Sequence, residues 1–515
     1  MDSGVLFILF SPLAFVVLGV AGAIYLAGVA VYRLFYSPIS HIPGPRIAAV
    51  THWYEFYHDV LRGGQYVWKV AQMHDKYGPV VRINPDEVHV ADPDFYAVLY
   101  NNGQERRDKV FKHTRQFGAP DSVLAAVHHD LHRMRRATLS SYFSKASVYR
   151  LEPVIQDKID NMIDHMELLQ NTKGTVPLME MFTALTNDVV MEYAFARSEH
   201  RLTKSDWDPE LLHAFEKASD MAHIVLHMNW VLRLLQALPL RLAMILNPGM
   251  GKVVAFQDSV KDQIRDIQTG RNRSNEKSSH RTIFHEVLDS QMPESEKKLE
   301  RMWQEGMVVV GAGTETTAWT LVVGIVNILL NPEVRERLEN EIKAAKGEKS
   351  SLDFKQLEQL PYLSACIKES LRLSYGVTSR LPRIAPNDVL QVPGTGLPIP
   401  PGTKVSMNAV MIHQNPKLFP QPLQFRPERW LDNPRLDRYL VSFSKGARQC
   451  IGINLAYAEL YMGLGAIFSR FTASDDGPQL RLIDPVASVA DIELAGDFFV
   501  PATKSGNKKT KVHFQ

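Results

Sequence analysis

The sequence contains very little cysteine. Only Cys366 and Cys450 occur in 515 residues, which excludes a disulfide framework and favours a reducing compartment over secretion. The sequence also lacks an excess of charge of either sign. Its 58 Lys and Arg against 56 Asp and Glu give a net charge of +2, so nothing electrostatic predicts nucleic-acid binding. Repeats and glycine/serine linkers are missing too, and 45% hydrophobic and 22% charged residues indicate a globular body with a large core.

One long hydrophobic run is present, at the N-terminus. From Gly4 to Tyr32 no residue is charged, and at about 1.5 Å per residue such a helix exceeds the roughly 30 Å hydrocarbon core of a bilayer. A cleaved export signal is the alternative, but it would have a positive start and a shorter apolar stretch. The first basic residue is Arg33. We therefore predict an anchor over residues 1–36, with a transmembrane span at about 5–32 and the rest of the chain in the cytosol.

The remainder of the chain indicates one large, mainly α domain. A stiff, non-helical connector with three prolines is predicted at residues 37–46, followed by a single domain over residues 47–515. A segment from about Glu294 to Leu330, charged in its first turns and almost wholly apolar after them, predicts a long helix that is buried on all sides through its apolar part. Strand content is small, with a β-hairpin predicted around Asn84-Pro85-Asp86. The polar stretch 272–280 predicts a surface loop.

The segment FSKGARQCIG, residues 443–452, has the features that a thiolate ligand of a haem iron requires. Gly446 and Gly452 allow the backbone to approach a porphyrin closely. A tight turn before a helix favours negative charge on the sulfur of Cys450. Arg448 can pair with a haem propionate, and Phe443 can pack beside the sulfur. For a lone cysteine, a buried and inert thiol on a glycine-rich loop is the alternative.

This segment matches in full the pattern FxxGxRxCxG, and the chain resembles the cytochrome P-450 family of haem-thiolate monooxygenases. The resemblance extends over roughly residues 43–501. It implies a mainly α fold with a small β region, in which a helical prism surrounds a buried haem b and follows one N-terminal transmembrane helix. It also implies that Cys450 is the axial ligand of the haem iron, with Phe443, Gly446 and Arg448 beside the cofactor.

A second motif of the family is Glu369-Ser370-Leu371-Arg372. Residues three apart lie on one face of a helix, so Glu369 and Arg372 can pair. Alone, the spacing is explained equally well by a solvated ion pair. In the family, the arginine of the downstream segment FRPERW, here Arg429, joins the two in a buried network behind the haem. The resemblance therefore implies a structural role for these three residues.

A third motif, GAGTETT at residues 311–317, lies inside the long apolar helix. A glycine there costs about 1 kcal/mol relative to alanine, so its presence needs a reason. The resemblance implies that Gly313 permits a local widening of the helix where dioxygen binds. It also implies that Glu315 and Thr316 form an acid–alcohol pair that supplies protons for O–O cleavage, although many members have Asp at the acid position. A helix kink lined by threonines is the alternative.

The resemblance places three further residues near the haem propionates. His132 and Arg136 stand where the family has a residue, often Trp, four positions before an arginine, and Arg383 takes a third position. The histidine departs from that pattern. Alternatively, His128 and His132 are four residues apart and could bind a metal, but HExxH and a third ligand are missing, so we expect no zinc site.

The implied activity is insertion of one oxygen atom of O₂ into a lipophilic small molecule, the other atom leaving as water. We expect electrons from NADPH through the flavoprotein NADPH–cytochrome P-450 reductase, and a location in the endoplasmic reticulum membrane. Two alternatives are a reductase-independent haem-thiolate rearrangement enzyme and a non-catalytic haem-binding sensor. An intact Glu315–Thr316 pair disfavours both, because neither requires proton delivery.

Similarity to fungal secondary-metabolism enzymes of the trichodiene-oxygenase type is carried by the segments GGQYVWKVAQMHDKYGPVVRINPDEVHVADPDFY and YGVTSRLPRIAP. It suggests a terpenoid or polyketide substrate.

Three basic residues, Lys445, Arg435 and Arg438, are candidates for a reductase-docking face, although most exposed charges are merely solvated. The apolar stretch 227–242 fits either an entrance near the bilayer or ordinary core.

Overall fold

Most of the chain is helical. The computed structural model describes residues 12–101, 103, 105–116, 118–246, 250–278, 280–349, 351–472, 479–506 and 508–514. Within these ranges the α-helices are Pro12–Val31, Arg46–Val50, Trp53–Phe56, Tyr66–Tyr77, Tyr96–Leu99, Phe111–Thr114, His129–Ser140, Lys145–Asn171, Leu178–Phe195, Glu210–Asp220, Ala222–His227, Asn229–Ala237, Leu240–Leu246, Met250–Gln268, Ile283–Asp289, Leu299–Leu330, Pro332–Lys346, Phe354–Leu357, Pro361–Ser374, Ala409–His413, Glu428–Asp432, Ile453–Arg470 and Pro485–Ile492.

The N-terminal helix Pro12–Val31 continues as a π-helical turn, Tyr32–Tyr36. Its apolar part, Phe15–Tyr36, is long and apolar enough to cross a membrane and is not buried against the body. Residues 5–11 of the predicted span lie outside the described residues. Arg33 lies within the last turn rather than beyond the helix, and its Nη1 donates a hydrogen bond to the Val50 carbonyl at 2.6 Å. Residues 37–45 follow as turns and extended backbone, without helix.

The predicted hairpin is confirmed. Strands β1 (Val80–Asn84) and β2 (Glu87–Val90) pair antiparallel. They form one edge of a five-stranded sheet. Its other strands are β3 (Asp108–Lys109), β5 (Arg383–Ile384) and β8 (Lys404–Ser406), and the strand order is β1-β2-β8-β5-β3. In this sheet β3 pairs with β5, although the two strands lie far apart along the chain.

Three smaller sheets complete the β structure of the described residues. Strands β4 (Thr175–Pro177), β12 (Lys511–Phe514) and β9 (Leu480–Leu482) form one sheet, with β12 in the middle. The other two are pairs: β6 (Leu390–Gln391) with β7 (Pro398–Ile399), and β10 (Leu494–Phe498) with β11 (Val500–Thr503). The central position of β12 fixes the C-terminal segment against the body.

The helix Leu299–Leu330, here called the central helix, runs through the main hydrophobic core. It packs most extensively on Leu178–Phe195 and also contacts Pro361–Ser374 and Ile453–Arg470. Its length and hydropathy would suit a membrane span, but most of it is buried in the body. The predicted start at Glu294 is wrong. Residues Glu294–Glu296 form a separate 3₁₀ turn, and Lys298 adopts an extended conformation with ψ 143° that interrupts the helix before Leu299.

The loop predicted at residues 272–280 is largely irregular, with one 3₁₀ turn, Ser274–Lys277. It is not wholly a surface feature, because Asn272 is buried and its Nδ2 donates to the Phe195 carbonyl at 2.9 Å.

The stretch 227–242 falls largely in the short helices Asn229–Ala237 and Leu240–Leu246. Trp230, Leu234 and Leu242 are exposed there, which excludes ordinary core for these three side chains.

Candidate active site

An internal cavity of about 740 Å³ lies between the central helix and the loop that carries Cys450. Ala312 and Thr316 line it on the helix side, and Cys450 and Gly452 line it on the loop side. The Cys450 side chain is exposed only in the sense that it faces this cavity. The structure therefore places the predicted ligand and the predicted acid–alcohol turn around one space.

The Cys450 loop has a tightly defined backbone. The Cys450 N–H donates to the Phe443 carbonyl at 2.9 Å, and the helix Ile453–Arg470 begins three residues after the cysteine. Burial raises the pKa of the Cys450 thiol, while a hydrogen bond from the Gly452 N–H and the charge of Arg136 oppose that rise. Metal coordination itself deprotonates a thiol, so these two groups would assist a bound thiolate.

Gly446 is required for a reason that the sequence did not indicate. Its φ is +77°, a conformation that favours glycine. A Cβ atom there would collide with the carbonyl oxygens of Tyr100 and Asn101. Nothing within 4 Å would obstruct a Cβ at Gly452. Gly446 thus lets the loop dock on the segment after the helix Tyr96–Leu99, whereas Gly452 leaves room beside the sulfur.

Four cationic side chains cluster beside the cavity: Lys109, Arg136, Arg383 and Arg448. None of them forms an ion pair with a carboxylate among the described residues. Lys109 Nζ donates to the Leu124 carbonyl at 2.5 Å, and Arg448 donates to the carbonyls of Ala126 and Val127 at 2.7 and 2.8 Å. Arg383 is buried and the other three are half-buried. Cations withdrawn from solvent in this way are normally paired, so this cluster is suited to bind an anion.

The electrostatics of the cluster agree with its geometry. Burial and then the charges of neighbouring arginines hold the pKa of Lys109 well below its usual range. The pKa of Arg448 falls to about 9 through burial and the charge of Arg383. His132 lies on the helix His129–Ser140 together with Arg136, and burial followed by the surrounding cations lowers its pKa to about 2. The surrounding cations therefore disfavour an imidazolium at this position.

These residues fit a haem. Its two propionate carboxylates need cationic partners, which the cluster of Lys109, Arg136, Arg383 and Arg448 supplies. The Nε of Arg448 is buried without a hydrogen-bond partner in the described part of the chain, as expected for a guanidinium with capacity left for an anion. The haem macrocycle needs apolar walls, which Phe443 and other residues lining the cavity supply. The haem iron needs an axial ligand, and Cys450 faces the same cavity.

On the opposite wall, the central helix is α-helical throughout residues 299–330. A Cβ at Gly313 would lie 3.1 Å from Val190 Cγ2, so the glycine allows close approach of the helix Leu178–Phe195. The predicted widening at Gly313 stays a prediction. The Thr316 hydroxyl donates to the Ala312 carbonyl at 2.8 Å and Thr316 lines the cavity. Glu315 is buried, and its Oε1 accepts a hydrogen bond from Lys508 at 3.1 Å.

Comparison with known proteins agrees with this arrangement. The family model for cytochrome P450, written here P-450, matches residues 43–490. The chain belongs to the cytochrome P-450 family. It is 42% identical over 511 residues to cytochrome P-450 monooxygenase tpcC of Cochliobolus heterostrophus, covering 97% of each chain. Membership of this family, together with this relative, shows that the protein is a haem-thiolate monooxygenase.

Two other relatives have names that include a substrate. The chain is 38% identical over 516 residues to N-acetyltryptophan 6-hydroxylase ivoC of Emericella nidulans, covering 99% of this chain and 98% of the relative. It is 37% identical over 493 residues to tryptophan 6-hydroxylase fscE of Fusarium equiseti, covering 94% of each. The similarity thus extends over almost the whole of both proteins.

Behind the haem site of this P-450, Glu369, Arg372 and Arg429 come together in one buried network. Arg372 donates to both carboxylate oxygens of Glu369, at 2.9 and 2.7 Å. Arg429 Nε donates to Glu369 Oε1 at 3.0 Å, and Trp430 Nε1 donates to Oε2 at 2.9 Å. Arg372 and Glu369 are fully buried. Because Arg372 also donates to the His413 carbonyl at 3.0 Å, the network ties three separate segments together.

Sequence reasoning missed two polar residues that line the cavity of this P-450. Lys109 is directly paired with Arg383 between β3 and β5, which no local motif announces. Glu459, on the helix that follows Cys450, is buried with one carboxylate oxygen unpartnered in the described part of the chain. Burial raises its pKa well above the usual range, opposed by a hydrogen bond with Thr317. Burial therefore disfavours the ionised form of the Glu459 carboxyl group.

The alternative zinc site is not supported by the described part of the chain. His128 is exposed, with its Nδ1 3.5 Å from Asp108 Oδ2, whereas His132 is buried. Neither belongs to a cluster of three potential metal ligands among the described residues.

Of the three basic residues of the predicted docking face, Arg438 forms an ion pair with Asp94, and Lys445 donates to the Arg438 carbonyl. Part of that positive charge is thus already neutralised.

Proposed function

We propose that this P-450 oxygenates a lipophilic small molecule of fungal secondary metabolism, a terpenoid or polyketide, with electrons from NADPH through NADPH–cytochrome P-450 reductase. The observation that carries the proposal is the single cavity shared by Cys450 and the Glu315–Thr316 turn. A rearrangement enzyme or a sensor would have no use for a proton-delivering turn opposite the ligand.

When bound, haem supplies the activation of dioxygen and the transfer of one oxygen atom to the substrate. The chain's own residues then have separate roles. Cys450 holds the cofactor through its sulfur. Its carboxylates would pair with Arg136, Arg383, Arg448 and Lys109, which would orient it. Thr316 presents a hydroxyl in the cavity, and Glu315, its neighbour, provides an ionisable group from which protons reach that hydroxyl.

The cavity walls support a lipophilic substrate. Residues from several elements, among them Val190, Phe215, Val308, Leu455 and Phe499, line the cavity. Burial of apolar surface is the dominant favourable term for ligands of this kind. A second candidate class is tryptophan derivatives, because two of the relatives are named as hydroxylases of tryptophan or N-acetyltryptophan.

Exposed apolar residues support a body that rests on the endoplasmic reticulum membrane. Trp230, Leu234 and Ile245 of the short helices are exposed, as is Trp53 near the N-terminal helix. The two regions are joined, since His227 Nε2 donates to Asp59 Oδ2 at 3.0 Å. Exposed aromatic and aliphatic side chains of this density are typical of membrane contact, and they would admit substrate from the bilayer.

The test is turnover by microsomes in which the full chain is co-expressed with a fungal reductase. Sesquiterpenes, polyketide aromatics and N-acetyltryptophan are supplied separately with NADPH, and products are identified by mass spectrometry with ¹⁸O₂. Incorporation of one ¹⁸O atom that depends on both NADPH and the reductase is expected, and Cys450→Ser is the inactive control. Product formation without NADPH would instead establish a rearrangement enzyme. Incorporation into N-acetyltryptophan alone would replace the terpenoid or polyketide assignment.

A further inference from the structure

Lys508, in the C-terminal segment, contacts the central helix at the turn that carries Glu315. Its Nζ donates to Glu315 Oε1 at 3.1 Å and lies 4.9 Å from the centroid of the Trp319 ring. The Lys508 and Glu315 side chains are only 9% and 11% exposed. Residues 315 and 319 are one turn apart on the same helix face, so the ammonium group bridges that turn through one ion pair and one cation–π contact.

Both sides of this contact are fixed by the fold. On the lysine side, the Leu178 N–H donates to the Thr510 carbonyl at 3.0 Å, and β12 begins at Lys511 in the middle of its sheet. On the helix side, Trp319 Nε1 donates to the Ser374 carbonyl at 3.2 Å. Lys508 is therefore a lysine held in place by neighbouring structure. It also lies beyond residues 43–490, the part of the chain that matches the family model.

Lys508 is the cation that pairs with Glu315 in the described part of the chain. A second carboxylate, Glu216, lies nearby on the helix Glu210–Asp220. Burial raises the pKa of Glu216; the charge of Lys508 lowers it and that of Glu315 raises it. Phe215, next to Glu216, lines the cavity. One ammonium group thus lies near both Glu315 and a helix that lines the cavity.

We propose that Lys508 is a positioning residue for proton delivery, holding the Glu315 carboxylate in a fixed orientation beside Thr316. This inference rests on the proposed function, because it concerns the same oxygenation reaction. Lys508 neither gains nor loses a proton in the step. When protonated Glu315 passes a proton to the Thr316 hydroxyl oxygen, that hydroxyl releases its own proton into the cavity, where oxygen is reduced. Glu315 then takes up a proton from solvent, and the ammonium group holds the side chain in place. Without the cation, a buried carboxylate has no charged partner and must move or take up a proton.

The experiment compares full-length variants reconstituted with reductase and NADPH on a substrate that the wild-type enzyme oxygenates. Lys508→Met removes the charge and keeps the length of the side chain. Lys508→Arg keeps the charge, and Lys509→Met is the matched control, because Lys509 is the exposed neighbour. Glu315→Gln is made alone and combined with Lys508→Met. The readouts are product per NADPH oxidised, hydrogen peroxide released, the carbon monoxide difference spectrum and the thermal unfolding midpoint.

A misplaced catalytic group costs up to about 10²-fold, so Lys508→Met should lower product per NADPH by about tenfold and raise peroxide release. Its carbon monoxide band should remain. Lys508→Arg should stay within about twofold of the wild type, as should Lys509→Met. The double variant should be no less coupled than Glu315→Gln alone, because the effect of Lys508 acts through Glu315.

Two results would overturn the inference by itself. One is a Lys508→Met enzyme as well coupled as Lys509→Met while Glu315→Gln is uncoupled. The other is a further loss of coupling when Lys508→Met is added to Glu315→Gln, since that indicates a general structural role. Fully coupled turnover by Glu315→Gln would refute the role of Glu315 in the proposed function as well. If Lys508→Met yields no holoprotein, Lys508→Gln, which retains an N–H donor but no charge, is judged by the same comparisons.

Discussion

Lys109 and Arg383 are register partners across the antiparallel strands β3 and β5. Directly opposed like charges are destabilising in a sheet, and burial in a low-dielectric site strengthens the repulsion. Neither residue forms an ion pair with a carboxylate within the described part of the chain. This pairing is therefore unfavourable in the protein alone, and a haem propionate bound beside the two cations would make it favourable.

Lys109→Met should weaken haem binding without preventing folding. A charged hydrogen bond contributes about 1.5–3 kcal/mol, so the haem dissociation rate should rise by roughly 10- to 100-fold. Transfer of haem to apomyoglobin measures that rate. Lys76→Met is the control, because Lys76 is exposed on the helix Tyr66–Tyr77, and it should behave as the wild type. Haem loss from Lys109→Met that is no faster than from the wild type would exclude a propionate contact for Lys109.

Cys450→Ser should abolish the red-shifted carbon monoxide band of a thiolate-ligated ferrous haem. Cys366→Ser should retain the band, because Cys366 is buried in the main core, away from the cavity. The cost of the buried hydroxyl in Cys366→Ser, about 1–3 kcal/mol, should appear only as a lower unfolding midpoint. The reverse behaviour of the two variants would show that Cys366, and not Cys450, is the axial ligand.

Thr316→Ala should uncouple turnover while leaving the haem environment intact, since Thr316 lies on the wall opposite Cys450. Removal of a positioned proton donor costs about 10²–10⁴ in rate, so product should fall at least 100-fold while NADPH oxidation continues and hydrogen peroxide accumulates. Thr316→Ser keeps the hydroxyl and should remain largely coupled. A fully coupled alanine variant would show that protons arrive by another route, with Glu459 the first candidate.

Glu369→Gln should destabilise the protein strongly. The change leaves Arg372 and Arg429 buried without their carboxylate, and breaking a buried ion pair typically costs about 3–5 kcal/mol. Chemical unfolding of the holoprotein, followed by haem absorbance and circular dichroism, measures the loss. Glu333→Gln on the exposed face of Pro332–Lys346 is the control and should change stability by less than about 0.5 kcal/mol. Equal stability of the two variants would mean that the network is dispensable.

Removal of residues 1–36 should release most of the protein from membranes and preserve haem incorporation. The deletion removes the Arg33 contacts with Val50 and Arg82, so a modest loss of stability is expected, about 1 kcal/mol for each hydrogen bond. Some membrane association should remain through Trp230 and its exposed neighbours. Flotation of microsomes on a density gradient measures association. Failure of the truncated chain to incorporate haem would make the N-terminal helix part of the fold.

The sequence by itself determined the features that depend on short-range pattern. The motif around Cys450 identified the ligand loop. Two short strand-like runs around Asn84-Pro85-Asp86 identified the hairpin β1–β2, and a long apolar run identified the central helix. Each is encoded within a few tens of residues, where spacing, propensity and turn chemistry suffice. The start of the central helix was misjudged because a charged segment with good helix propensity also suits a 3₁₀ turn.

Tertiary structure alone decided which distant residues meet. Lys109 joins Arg383, Gly446 docks against Tyr100, and Lys508 pairs with Glu315, each across more than 190 residues of chain. Such contacts follow from strand register and helix packing, which bring side chains together without any local signature. The charge of each residue was visible in the sequence. Whether that charge would be solvated, paired or buried facing an anion was decided by the folded surroundings, because burial sets the free energy of a charge.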